Sequence, residues 1–238
     1  KTIGQAPWGG IRLSEFSTGS VLDSNGEYIR GGLIRHCRLE GASTGIRLVH
    51  GAPQRLISNC RFEGNGIAIE AGYSSNPIRL VGNHFISNIK GAVLWGALIT
   101  VVGNQFVGNS ELGFEVGATQ AEISGNVVAD GGTGVRLQLT FDPLANALME
   151  HNLVSGNQGY GLEANGSMGA LEVRHNTIIK NSGGGVHFAD MAPASPTQLH
   201  HNNILANQNY DAVGALIAEN NYWDVPFAEI GNRAVGCL

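Results

Sequence analysis

Apolar and polar residues alternate along this chain in very short runs, each opened by a glycine. Gly10-Ile11-Arg12-Leu13, Gly45-Ile46-Arg47-Leu48, Gly66-Ile67-Ala68-Ile69, Gly91-Ala92-Val93-Leu94, Gly113-Phe114-Glu115-Val116, Gly134-Val135-Arg136-Leu137, Gly161-Leu162-Glu163-Ala164 and Gly185-Val186-His187-Phe188 share this form. Alternation over three or four residues, bounded by Gly and Asn, predicts half-buried strands rather than helices. The long glycine-free stretches are interrupted by Pro143 and by Pro193 and Pro196, which break helix interiors.

A second string recurs at a period of 21 to 26 residues: Gly82-Asn83-His84-Phe85, Gly103-Asn104-Gln105-Phe106, Gly125-Asn126-Val127-Val128, His151-Asn152-Leu153-Val154, His175-Asn176-Thr177-Ile178 and His201-Asn202-Asn203-Ile204. Extended both ways, the frame puts Cys37 and Cys60 in the Asn column and ends at Asn220-Asn221-Tyr222-Trp223. Five residues later a further column holds Asn65, Asn88, Asn109, Gly131, Asn157, Asn181 and Asn207. Such a period leaves a leucine-rich horseshoe or a parallel β-helix. The horseshoe wants regular leucines, whereas this column accepts Phe, Val, Ile and Trp.

The predicted fold is therefore all-β: a single-stranded parallel β-helix of about nine to ten coils with an internal Asn ladder. Coils stack at ~4.8 Å, so equivalent residues lie above one another. Asn at one bend of every coil bonds to backbone and to the Asn of adjacent coils. The Gly, Asn or His before it marks a residue at positive φ. Leu39, Phe62, Phe85, Phe106, Val128, Val154, Ile178, Ile204 and Trp223 form a continuous core stripe. One domain spans residues 1–238, with 224–238 as an irregular tail.

Over nearly its whole length the pattern resembles the right-handed parallel β-helix repeat proteins, the superfamily of pectate lyases and many secreted or periplasmic bacterial proteins. Trp8-Gly9-Gly10-Ile11 is similar to an early-coil motif and Asn220-Asn221-Tyr222-Trp223 to a late one. The resemblance implies an extracytoplasmic location, and its enzymes act on acidic polysaccharides. These motifs build the coil and carry no chemistry. The family's usual end cap is not visible before Trp8, and the chain opens on Lys1-Thr2, which suits a processed protein or a fragment.

Composition agrees: Gly is 35 of 238 residues and charged residues are 14%, against ~7% and ~25% ordinarily. With 14 Lys+Arg against 19 Asp+Glu the net charge is −5, which lacks the basic excess that nucleic acid needs. The uncharged run 91–110 is broken by Gly, Asn and Gln, so no membrane span is expected.

Aligned on the column glycines, the outward row reads Arg12, Arg47, Ala68, Val93, Glu115, Arg136, Glu163, His187, and the next reads Ser14, Val49, Glu70, Trp95, Gly117, Gln138, Asn165, Ala189. The coils of Gly91 and Gly113 run 13 residues to the next ladder position, whereas those of Gly66, Gly134 and Gly185 run 17 or 18. Tight coils between longer loops predict a trough with Trp95 and Glu115 on its floor, Tyr73 on one wall, and Phe141 and Asp142 on the other. Exposed Trp beside carboxylate and guanidinium suits sugar rings. Alternatively, the 71–77 loop covers Trp95 and the charges form an ordinary exposed ladder.

The substrate-binding candidates are thus Trp95, Glu70, Tyr73, Glu115, Arg136, Asp142, Glu163 and His187. Glu115 and Glu163 lie roughly 9.6 Å apart by stacking, but Arg136 between them opposes a general acid. No calcium-binding carboxylate cluster is apparent, and Phe141-Asp142-Pro143-Leu144 shares only its Asp-Pro with the family's epimerases. His151, His175 and His201 read as turn residues rather than metal ligands, with His200 adding little. Cys37 and Cys60 read as free thiols because parallel stacking exceeds the Cβ separation of a disulfide; Cys237 is unassigned. No cofactor is expected. The leading expectation is an extracytoplasmic, non-catalytic module, either an assembly scaffold or a polysaccharide-binding surface, partnered by polysaccharide or protein. The other is a polysaccharide lyase, C5-epimerase or glycoside hydrolase.

Overall fold

A computed structural model describes residues 8–138, 145–166, 170–189, 197–223 and 234–237. Every regular element within them is a strand. The glycine strands pair in parallel and in chain order, from Ile11–Leu13 through Thr44–Leu48, Ile67–Ser74, Lys90–Val102, Leu112–Ser124, Thr133–Gln138, Tyr160–Asn165 and Gly184–Ala189 to Ala212–Glu219. A second, nine-stranded parallel sheet follows the Asn column from Arg38–Glu40 to Tyr222–Trp223. This is the parallel β-helix that the periodicity predicts.

About seven full turns, from Thr44 to Leu205, are present among the described residues, fewer than the nine to ten expected. The repeats at the two ends complete only part of a turn. At the first end the chain leaves the coil for an antiparallel hairpin, Ser20–Leu22 against Tyr28–Gly31. Its turn contains Asn25-Gly26, a strong hairpin signal that lies between two repeats. At the other end Ala234–Cys237 pairs alongside Ala212–Glu219.

The core stripe is continuous. Leu39, Phe62, Phe85, Phe106, Val128, Val154, Ile178 and Ile204 are buried, and Trp223 packs half-buried against the same cluster. The rings of Phe62, Phe85 and Phe106 stack at 5.1 and 4.4 Å. Burying each contributes roughly 1.5–3 kcal/mol.

Polar ladders satisfy the bends. Where Asn follows Asn, the later Oδ1 accepts from both the backbone N–H and the Nδ2 of the Asn one coil earlier: Asn126 takes Asn104 at 2.9 and 3.1 Å, and Asn152 takes Asn126 at 2.9 and 2.9 Å. The later column forms a second ladder, as in Asn157 to Asn181 and Asn181 to Asn207, interrupted at Gly131. Among the described residues it reaches Asp211, whose Oδ1 accepts from Asn207 Nδ2 at 2.9 Å within a single turn of chain.

Positive φ precedes each ladder. His36, Asn59, Gly82, Gly103, Gly125, His151, His175, His201 and Asn220 lie at 51–65°, and Gly41, Gly64, Ser87, Gly108, Asp130, Gly156, Lys180 and Ala206 at 52–68°. Among the described residues the glycine column departs from glycine in two coils, at Ala68 and at Asp211, which lies beside Gly185 because Val186 pairs with Ala212. Ala68, fully buried, takes the place of Gly45 and Gly91, because Thr44 pairs with Ile67 and Ile67 with Lys90. Gly66 is a turn residue two positions early.

Candidate functional site

The corrected register sets the outward rows. The first reads Arg12, Arg47, Glu70, Val93, Glu115, Arg136, Glu163, His187, with Glu70 where alignment on Gly66 had put Ala68. Glu70 is therefore not in the row of Trp95; it pairs with Arg47 at 2.6 Å. Arg136 lies between two carboxylates, with Nε 2.9 Å from Glu163 and Nη1 3.5 Å from Glu115. Burial pulls its guanidinium down, but Glu163 and then Glu115 outweigh this and hold it above its ordinary value.

One rung on, His187 packs on Tyr160 with ring centres 4.6 Å apart, and the Tyr210 hydroxyl donates to that of Tyr160 at 3.0 Å. His187 Nδ1 is buried and makes no hydrogen bond among the described residues. Burial and the Tyr160 bond push the Tyr210 hydroxyl upward, away from ionisation. The sequence reading missed this tyrosine pair; its signal was Gly183-Gly184-Gly185, since a side chain at Gly184 would meet both rings.

In the second row the six-membered ring of Trp95 lies across Gly117, where a Cβ would collide with it. Tyr73, Gly117, Thr119 and Gln138 join Trp95 around a shallow depression of about 90 Å³. Tyr73 is exposed and stacks on His50. The expected trough thus separates into Trp95 with Tyr73, Glu70 with Arg47, and Glu115–Arg136–Glu163 leading to His187. Phe141 and Asp142 lie outside the described residues.

Two further clusters follow the turn columns. His151, His175 and His201 stack with ring centres 5.3 Å apart at each step. His200 meets His201 edge-on and places Nε2 3.1 Å from Glu172, which Arg174 links to Glu150. Among the described residues no three His, Cys, Asp or Glu side chains converge as a metal site. Cys37 and Cys60 are both free thiols, on adjacent rungs. The Cys37 N–H donates to Cys60 Sγ at 3.4 Å, while the thiols donate to the carbonyls of Arg35 and Ser58. Burial pushes the Cys60 thiol up to about 11. Both line a surface hollow of about 370 Å³, together with His36, Arg38, Arg61 and His84.

The family described as "Right handed beta helix region" matches residues 96–222, and that described as "Periplasmic copper-binding protein (NosD)" matches residues 10–142. Each match spans more than half of the chain. The chain belongs to both families. No curated protein and no solved structure matches it significantly. In this NosD-family β-helix protein the NosD match contains Trp95, Tyr73, Cys37 and Cys60, whereas the histidine stack begins beyond it. Among the described residues no helix is long and apolar enough to cross a membrane.

Proposed function

We propose that this protein is a non-catalytic periplasmic scaffold that displays binding sites along the outer walls of its coils. The observation that carries this reading is the engagement of the outward carboxylates: Glu70 by Arg47, Glu115 and Glu163 by Arg136, and Glu150 and Glu172 by Arg174. A general acid needs the opposite surroundings, and a calcium-assisted lyase needs carboxylates that converge on an ion. The periplasmic location rests on the family description. Incubation with a panel of uronate polymers should yield neither unsaturated product nor new reducing ends; turnover of any of them would replace the scaffold by the polysaccharide-processing alternative.

A polysaccharide is one ligand that the outer wall suits, because Trp95 lies flat against the coil and Tyr73 stands exposed beside it. The ~90 Å³ depression is smaller than the ~300 Å³ at which small-molecule pockets begin, so binding would be by stacking along the surface. Retention on an affinity gel containing the matching glycan should be lost in Trp95→Ala.

Copper enters through the family description. Among the described residues the donor chemistry fits at the paired thiols of Cys37 and Cys60, soft ligands of the kind that select the cuprous ion, on residues that line a hollow. Copper there would be cargo held by the rod.

A further inference from the structure

The two ladder rungs that carry Cys instead of Asn bear no load that an amide would not bear better. Asn83 in the next rung uses Oδ1 to accept from the Cys60 N–H and Nδ2 to donate to the carbonyl of Ile57 and to Asn104. A thiol supplies neither function well: the Cys37 N–H receives only a sulfur at 3.4 Å. The column thus gives up hydrogen bonds in order to place two sulfur atoms one above the other, where the flanking Arg38 and Arg61 pair in register.

We infer that Cys37 and Cys60 form a two-thiolate site for monovalent copper that spans adjacent coils. The inference rests on the copper reading above and names its residues and oxidation state. Rung spacing supports it: two metal–sulfur bonds of the ~2.3 Å that a zinc–thiolate bond measures, laid end to end, span ~4.6 Å, close to the ~4.8 Å between stacked strands. A disulfide would instead need the Cβ atoms drawn in to ~3.5–4.5 Å.

Access and charge support it too. Cys37 is half-buried and Cys60 buried, and both line the hollow between Arg38 and Arg61. Binding replaces two thiol protons by one cuprous ion, giving a dithiolate complex of charge −1 and two released protons, with no change in oxidation state. The neighbouring guanidinium groups offset that charge, although both also contact Glu63. Because both thiols lose their protons on binding, uptake tightens as pH rises.

The test is titration of the reduced full chain with cuprous ion against a chromophoric chelator, with X-ray absorption to count sulfur neighbours. One ion per chain with two sulfur neighbours is expected. Cys60→Asn, which installs the ladder's own residue, should retain the thermal melt and weaken uptake by more than the ~100-fold that loss of a supporting group costs. Cys37→Ser, at the more open position, should do the same and decides the matter if Cys60→Asn fails to fold. Cys237→Ser should change nothing. A wild-type chain that takes up no cuprous ion overturns the copper reading together with this site. Uptake unchanged in both variants, or lost in Cys237→Ser, overturns the site alone.

Discussion

Left-handed backbone is cheap for glycine, yet the two turn columns mix Gly with His, Asn, Ser, Asp, Lys and Ala. A side chain in this region costs roughly 1–2 kcal/mol, which Asn and Asp partly recover by local hydrogen bonds. Gly108→Ala should therefore lower stability by about 1 kcal/mol even though its neighbours leave room for a methyl group. Lys180→Gly, at the same position three rungs on, should be neutral or stabilising, since relieved strain offsets the ~0.5–1 kcal/mol of added unfolded-state freedom. Urea midpoints of the two variants check both signs. His175 belongs to the same turn class, and burial, then His151 and His201, hold its imidazole below the ordinary 6.5. The unfolded chain therefore binds this proton first, so stability is full above 6.5 and falls as pH drops below it. His175→Asn, a residue the column already uses at Asn59 and Asn220, should flatten that dependence in melts across this range.

At the scale of the element, each ladder Asn in mid-stack satisfies groups in two coils. Asn126→Ala removes the acceptor of Asn104 and two donations to the carbonyls of Val101 and Ser124, leaving buried groups that each cost about 1–3 kcal/mol. A loss of roughly 3–5 kcal/mol is expected on that basis, against about 1 kcal/mol for Asn221→Ala at the half-buried end of the ladder; chemical denaturation separates the two. These ladders were legible because polar residues recurring within apolar runs have few other uses. The columns before them were legible because Gly, Asn and His share tolerance of positive φ. Gly66 misled because a turn glycine and a column glycine look alike without pairing information, and Ala68 is small enough to stand in. The contact of Trp95 with Gly117 is cross-coil shape, which a linear string does not encode until the register is known. Hairpin Ser20–Leu22 with Tyr28–Gly31 carried its own signal but fell between repeats.

In the whole molecule each coil touches mainly its neighbours, so stability is close to a sum of coil and interface terms. The coils from Ile67 to Leu205 are flanked on both sides, and amide exchange should be slowest there and fastest in Ile11–Leu13 and the hairpin. A uniform exchange rate from end to end would show that the rod opens as a single unit instead. The ion pairs run along this axis as well: Arg136 ties three successive coils through Glu115 and Glu163, so Arg136→Ala should weaken the middle of the rod more than Arg47→Ala weakens its start.

Asp211 changes the chemistry of the second ladder at its last described rung. Where Asn65, Asn88, Asn157 and Asn181 each borrow an oxygen from the Asn of the coil that follows, Asn207 receives one from a residue four places along the chain, a carboxylate instead of an amide. Duplicating the segment between Asn181 and Asn207 should simply lengthen the protein by one storey, whereas a copy grafted after Asp211 would have to stack on a carboxylate where the earlier storeys stack on an amide.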